Sequence, residues 1–483
     1  MFQIVGYMKT DRRNFIKKAG MVAGGIYIIP RHVMGRGYTA PSDKLNIACI
    51  GVGGKGQSDC FNVWDNGKNN IVAIADVDWQ RGKAAAEKFP NAKKYTDYRK
   101  LFEAESKNID AVTISTPDHQ HAIIAMDAMS LGKHVYLQKP LTHDIYEARM
   151  LTEAASKYKV VTQMGNQGAS GRGTAQFVDW FRKGEIGKVH TVYIWTDRPV
   201  WPQGIPKPNV EAEMPNDLAW DLWVGTAPAT AFHPLYHPFK WRGWWDFGTG
   251  ALGDMGCHLI DPPYRALGLG YPTQVQCSVG SVFSKDWIPD YNPESCPPSS
   301  TVQLNFAATK YNKSDVKMIW MDGGLRPFHP DIIPAEDLIG DPDGKNGVIM
   351  MGTKGILTCG TYGNHPKIYM KGKKVRTLAP PIPNEGTINA PENGHPTLWT
   401  EACKTGFGST EHKMLTSSFD FAGPLTETIL MGNLAIRSYN YKESPESKDF
   451  PGRKKLLWDG INMKITNFEA ANQYVKRNYR TGW

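Results

Sequence analysis

The feature that most limits what this chain can fold into is a glycine-rich turn set between an apolar strand and a helix. Leu45-Asn46-Ile47-Ala48-Cys49-Ile50 is a short apolar run of strand type, and Gly51-Val52-Gly53-Gly54-Lys55-Gly56 follows it directly. The spacing GxGxxG is a weak signal by itself in a chain with 48 glycines. Its setting makes it specific. QSDCFNVWDNGK reads as a helix, Ile71-Val72-Ala73-Ile74-Ala75 as a second strand, and Asp76 stands 20 residues past Gly56. Glycines there let a pyrophosphate approach the backbone, and the helix N-terminus offers free N–H groups to its charge. The acid at the second strand end reaches the adenosine ribose hydroxyls. An acid at 76 disfavours a 2′-phosphate, so the sequence points to NAD over NADP, with Lys55 and Arg81 arguing the other way. A glycine turn in a cofactor-free domain of the same type is the alternative.

The alternation continues. DWQRGKAAAEKF is helical, AVTIS (111–115) a buried strand, and DHQHAIIAMDAMSLG a helix ending at Gly132. HVYLQ (134–138) is a strand, DIYEARMLTEAASKY a helix and VVTQM (160–164) a strand. Such alternation gives an α/β Rossmann domain, a doubly wound parallel sheet with ligands outside the strand C-terminal ends. The candidate cofactor-binding residues are those at these ends: Gly51, Val52, Gly53, Gly54, Lys55, Gly56, Asp76, Thr116, Pro117, His121, Gln138, Lys139 and Gln167. His119 and His121 read as cofactor-edge or structural histidines rather than catalysts.

Beyond Lys188 the pattern changes. HTVYIWTD, TVQLNFAA (301–308), DVKMIWM (315–321) and GILTCG (355–360) read as strands without regular helices between them. That predicts an α+β domain with a largely antiparallel sheet and helices on one face. At 483 residues the chain is too long for one core. The expected division is a leader at 1–40, a Rossmann domain at 41–165 and a substrate and oligomerisation domain at 166–483. The Pro-, Gly- and Asp-rich stretch 322–346 is a long loop expected to border the pocket.

STPDHQHA followed by LGKHVYLQKPLT resembles the Gfo/Idh/MocA oxidoreductase family, whose signature is a strand ending in Glu-Lys-Pro. The resemblance extends over the chain after the leader. Gln138 stands where the family has the glutamate, keeping an acceptor oxygen and losing the charge. The resemblance implies that Lys139 is catalytic, polarising a reacting hydroxyl beside a nicotinamide. Asp254 and His258, four apart, share one face of a helix. By spacing alone they read as a structural pair; the resemblance implies that their helix meets the lysine across the cleft. His258 would then take a hydroxyl proton, and Asp254 would fix its tautomer or hold a neighbouring sugar hydroxyl.

Two further stretches invite site readings. His233 and His237 are four apart, but a proline follows each, so a regular zinc-binding helix is not expected and no metal site is assigned. The tryptophan-rich run holds Trp241, Trp244 and Trp245, some of which are expected to face a sugar.

Charge and composition remove other classes. The net charge is +9, but residues 1–40 hold seven basic side chains and one acid, which leaves +3 for the other 443. That makes no case for nucleic acid. Seven scattered cysteines without a CxxC pair argue against a disulfide framework or zinc ribbon. No apolar run approaches the roughly 18 to 20 residues of a membrane span. Arg12-Arg13, with Phe15 after them and the weakly apolar stretch 19–30 beyond, resemble a twin-arginine export signal, so the expected location is periplasmic or otherwise exported. A basic tail of no consequence is the other reading. Translation could start at Met1 or Met8, and Thr39-Ala40 is a poor cleavage match.

Together these features predict an exported NAD-dependent oxidoreductase. It would move a hydride from a secondary hydroxyl of a sugar or glycoside to a tightly held nicotinamide, in a homo-oligomer. The alternatives are an NAD-dependent glycoside hydrolase working by oxidation, elimination, hydration and reduction, and a non-catalytic carbohydrate-binding protein.

Overall fold

The computed structural model describes residues 43–210, 212–378 and 394–483. The paired arginines and the Thr39-Ala40 junction of the leader lie outside the described residues. The apolar runs of the first half become parallel strands: β1 (Asn46–Ile50), β2 (Asn70–Ala75), β3 (Lys93–Tyr95), β4 (Ala111–Ile114), β5 (His134–Leu137) and β6 (Thr162–Met164). Helices α1 (Lys55–Trp64), α2 (Trp79–Lys88), α3 (Tyr98–Glu105), α4 (Asp118–Ser130) and α5 (Ile145–Tyr158) connect them. The order β3-β2-β1-β4-β5-β6 reverses direction between β1 and β4, which opens a crevice at their C-terminal ends. Central strands covered on both faces need apolar residues at every position, and β4 is buried throughout. That is why these strands are legible as continuous runs. β3 and α3 went unread, because Lys93-Lys94-Tyr95 is an edge strand with no apolar run.

Among the described residues the second sheet has ten strands: β7 (Val189–Trp195), β8 (Gln274–Val279), β9 (Ser300–Phe306), β10 (Val316–Met321), β11 (Gly347–Gly352), β12 (Ile356–Cys359), β13 (Lys367–Tyr369), β14 (Arg376–Thr377), β15 (Leu456–Asp459) and β16 (Lys464–Ile465). Every pairing is antiparallel except β7 with β10. β9 alternates buried and half-buried positions, as a strand with one covered face must. The helices are α6 (Arg172–Arg182), α7 (Trp220–Val224), α8 (Gly250–Leu259), α9 (Asp261–Leu267), α10 (Gly394–Thr405), α11 (Thr410–Lys413) and α12 (Phe419–Tyr439). α12 is buried along most of its length, in one core with β8, β9, α5 and α8.

The long loop at 322–346 differs from expectation. Its Ile333 and Ile339 pack on Trp195, Ile349 and Tyr369 at the far side of this sheet, so it lies away from the cleft. α10 also crosses the expected division of the chain. Its Trp399 is fully buried against Ile47, Ile74 and Tyr136 of the parallel sheet, and His395 Nε2 meets the Met164 carbonyl at 2.8 Å. Leu45–Trp483 thus packs as one compact unit. Among the described residues no helix is long and apolar enough to cross a membrane.

Candidate active site

A cleft of about 550 Å³ opens at the C-terminal ends of β1, β2, β4 and β5. Of the residues singled out by sequence, Gly51, Gly53, Gly54, Lys55, Asp76, Thr116, Pro117, Gln138, Lys139, Gln167 and His258 line it. Val52, Gly56, His121 and Asp254 stand behind that surface.

The glycine turn is packed too closely for side chains. A Cβ on Gly56 would lie 1.8 Å from the Gly51 carbonyl oxygen, and one on Gly53 2.8 Å from Arg81 Cβ. Gly54 caps α1 with no side-chain hydrogen bond; the Gly56 amide bonds the Gly53 carbonyl at 3.1 Å, which leaves the Gly54 and Lys55 amides for an acceptor in the cleft. Asp76 braces the turn: Oδ2 accepts from the Val52 and Gly53 amides at 2.8 and 3.0 Å, and Oδ1 from Asp78 N at 2.9 Å. A carboxylate offers about four acceptor positions, so it keeps capacity for a ribose hydroxyl. Burial raises its pKa, partly opposed by those amides.

His121 takes a different place from the one expected of a cofactor contact. Its Nδ1 meets the Pro140 carbonyl and its Nε2 the Thr116 carbonyl, each at 2.8 Å. The ring joins the two strand-end segments from behind and does not reach the cleft. His119 is likewise structural, between the carbonyls of Trp223 and Phe247, and burial pushes its pKa down to about 3.

Gln138 finds its explanation in a residue that the sequence did not flag. Asp59 on α1 is fully buried and accepts from Lys55 Nζ at 2.6 Å, Ser115 Oγ at 2.8 Å and Gln138 Nε2 at 2.8 Å. A glutamate at 138 would set two buried carboxylates against each other. The amide instead donates to Asp59 and closes the network under the turn.

At the other end of the cleft Lys139 Nζ meets Asp254 Oδ1 at 2.9 Å and the Asp254 carbonyl at 2.6 Å. Arg242 Nε approaches the same Oδ1 at 3.3 Å. Burial by itself would raise the Asp254 pKa, but the Lys139 and Arg242 cations outweigh it and hold the carboxyl well below the usual range. The spacing correctly puts Asp254 and His258 on one helix face, but Asp254 makes no hydrogen bond to His258. It orients the lysine. His258 is buried with Nδ1 unpartnered, and its ring rests edge-on to Tyr362 at 4.6 Å. Burial and then Lys139 push its pKa well below the ordinary imidazole value. Tyr362 has a left-handed backbone (φ 62°), held from below by the Asp341 carboxylate through the Thr361 amide and hydroxyl at 2.7 Å each. The 322–346 loop therefore serves the cleft indirectly, through Asp341.

Residues 45–166 match the Gfo/Idh/MocA oxidoreductase family over its NAD-binding Rossmann fold, and residues 176–282 match that family's C-terminal alpha/beta domain. Over these two regions, just under half of its length, the chain is similar to the Gfo/Idh/MocA oxidoreductases and shares their NAD-binding fold. Its relatives include a glycosyl hydrolase family 109 protein of Shewanella pealeana, 26% identical over 204 residues, which are 38% of this chain and 45% of that protein. Another is an inositol 2-dehydrogenase of Salmonella typhimurium, 31% identical over 120 residues, 24% and 35% of the two chains. The chain thus spans less than half the length of these curated relatives. In fold it is similar to an Azotobacter vinelandii inositol dehydrogenase homologue crystallised with NADH and myo-inositol. That likeness has 17% identity and a TM-score of 0.54, over 80% of this chain and 93% of the other. NAD is the cofactor of this Rossmann domain, and the side-chain-free cradle, the free helix amides and the spare acceptor of Asp76 fit it.

The chain also covers the Asp76 end of its cleft. The segment 217–247 crosses over it, with Ala219 N on the Val77 carbonyl at 2.9 Å, His237 Nε2 on Asp78 Oδ2 at 2.7 Å, and Gln120 Nε2 on the Leu222 carbonyl at 2.7 Å. The C-terminal residues tie it down: Arg480 reaches the Gly225 carbonyl and Asp221, and Trp483 lies under the Arg99 guanidinium at 4.3 Å. Of the three tryptophans among which some were expected to face a sugar, Trp241 lines the cleft. Trp244 is buried in the strap's own cluster, and Trp245 packs in the main core. Sequence reading missed Asp59, Arg242 and Tyr362, none of which belongs to a spaced motif.

Proposed function

We propose that this chain is an exported oxidoreductase that moves a hydride from a secondary hydroxyl of a sugar or glycoside to a tightly held NAD. Residues 41–165 bind the cofactor, and 166–483 bind substrate and build a homo-oligomer through the open face of the second sheet. The observation that carries the reading is the convergence of an Asp254-held Lys139 and a buried His258 at one end of a cleft whose other end is a glycine cradle. NAD, when bound, supplies the hydride acceptor. The chain's own residues do the rest. Lys139 Nζ donates to the reacting oxygen and stabilises its developing charge, and His258 takes the hydroxyl proton. Asp254 keeps Lys139 aimed, and Gln138 and Asp59 hold the strand end that carries it. The strap supports tight retention, which an enzyme exported by the twin-arginine route with its cofactor inside requires.

A second reading has a specific observation behind it, the similarity to a glycosyl hydrolase family 109 protein. Oxidation of a glycoside acidifies the neighbouring C–H, and elimination of the aglycone, hydration and reduction then give net hydrolysis with the same residues. One experiment separates the two. The purified chain is incubated with glycosides, with and without an electron acceptor. A keto-sugar that accumulates only with acceptor supports the dehydrogenase. Free sugar and aglycone released without acceptor support the hydrolase. Neither product, from a chain that holds NAD, refutes both and leaves a carbohydrate-binding protein.

A further inference from the structure

We propose that Arg242 selects a substrate bearing a carboxylate, a sugar of the uronic-acid class, at the reacting end of the cleft; this rests on the carbohydrate reading above. Two cations, Lys139 and Arg242, converge there on a single carboxylate oxygen, Asp254 Oδ1, at 2.9 and 3.3 Å. Asp118 lines this region; its Oδ2 accepts the Thr249 hydroxyl at 2.6 Å, and both cations act on it through space without forming an ion pair with it. Arg242 therefore shares its one ion-pair oxygen with Lys139, and its guanidinium stays partly open to the cleft, where a ligand can reach it.

The guanidinium is also presented as a recognition group. Nε takes Asp254 and Nη1 the Phe239 carbonyl at 3.2 Å, and Nη2 makes no hydrogen bond among the described residues. Its plane is fixed by the rings of Trp241 and Phe239, whose centroids lie 4.2 and 4.8 Å from Cζ. Trp241, Phe239 and Arg242 all line the cleft. An arginine locked by stacking with a free edge turned to a cleft is suited to a planar anion such as a carboxylate. A pyranose whose ring hydroxyl sits between Lys139 and His258 lays its apolar face toward Trp241 and carries its exocyclic carboxylate to Arg242. A neutral hexose leaves that edge unanswered.

The test compares ligands that differ in charge alone. Methyl glucuronide and methyl glucuronamide are titrated into the NADH-loaded chain, and binding is read by calorimetry without need of turnover. The expected result is at least tenfold tighter binding of the glucuronide, lost in Arg242→Gln and partly kept in Arg242→Lys. Equal binding of the two by the unaltered chain overturns the proposal, as does a preference that survives Arg242→Gln. If neither ligand nor methyl glucoside binds a chain that holds NADH, the carbohydrate reading itself fails and takes this inference with it. If methyl glucoside binds as tightly as the glucuronide, only the inference fails.

Discussion

Replacing Gly56 by alanine tests the cradle most sharply, because the obstacle is backbone. The added Cβ would stand 1.8 Å from the Gly51 carbonyl oxygen and 2.8 Å from the Gly51 carbonyl carbon, with Ser115 Cβ at 3.1 Å. Restoring even a 3.0 Å contact requires α1 to move by about 1.2 Å away from the end of β1. Amides placed to bond a pyrophosphate at about 2.9 Å lose those bonds over such a shift. Hydrogen bonds to a charged group contribute about 1.5–3 kcal/mol each, so losing two costs roughly 3–6 kcal/mol of NAD binding. That corresponds to a rise in Kd of about 10² to 10⁴. Overpacking adds about 1–3 kcal/mol of lost stability, which urea unfolding without cofactor measures separately. The assay is calorimetric titration of NAD into the folded variant. A Kd within threefold of the unaltered chain, with α1 intact, would refute the claim that this turn holds the pyrophosphate.

Four further outcomes follow from the same geometry. Gln138→Glu places a second carboxylate beside Asp59, 2.8 Å away at present, and is expected to lower stability by about 2–4 kcal/mol at pH 7. The pair takes up a shared proton more readily folded than unfolded, so the loss shrinks as pH falls toward 5; urea titrations at both pH values that show no such recovery contradict the network. Asp254→Asn frees Lys139, and kcat is expected to fall about 100-fold with the NAD Kd unchanged within threefold; an unchanged kcat means that the lysine is aimed by something else. Because burial and Lys139 depress the His258 pKa, the acid limb of kcat/KM for oxidation lies below about pH 6.5, the ordinary imidazole value, and a limb at or above it rejects His258 as the base. Removing residues 480–483 releases the strap at Asp221 and Gly225, and NAD dissociation followed by stopped flow is expected to quicken about tenfold or more. An unchanged rate removes the strap from the account.

The parallel sheet was legible because its central strands are buried on both faces, and because GxGxxG with Asp76 is a spacing set by one ligand. Lys139, Asp254 and His258 were legible through the family resemblance, and the structure brings them together. Asp254's role was not. Its two cations come from β5's end and from position 242, and no local spacing reveals which neighbour a carboxylate chooses. Asp59 escaped notice for a similar reason, since its partners Ser115 and Gln138 lie 56 and 79 positions away. His121 sits at the right strand end, but its ring turns inward to two carbonyls, a choice made by packing rather than by sequence order. The return of α10 to the first sheet is equally non-local: Trp399 looks like any helical core residue until Tyr136 and Ile47 surround it.

The central claim is that one chain holds NAD and uses Lys139 and His258 to oxidise a sugar hydroxyl. The most direct measurement is a single turnover: the purified chain, loaded with one equivalent of NAD, is mixed with a panel of glycosides and uronides while the reduced-nicotinamide absorbance is followed. The account predicts a burst of NADH with at least one of them, abolished by His258→Gln and strongly slowed by Lys139→Met, with NAD still bound in both variants. A chain that binds NAD stoichiometrically and forms no NADH with any member of the panel would contradict it, as would a burst that survives both substitutions.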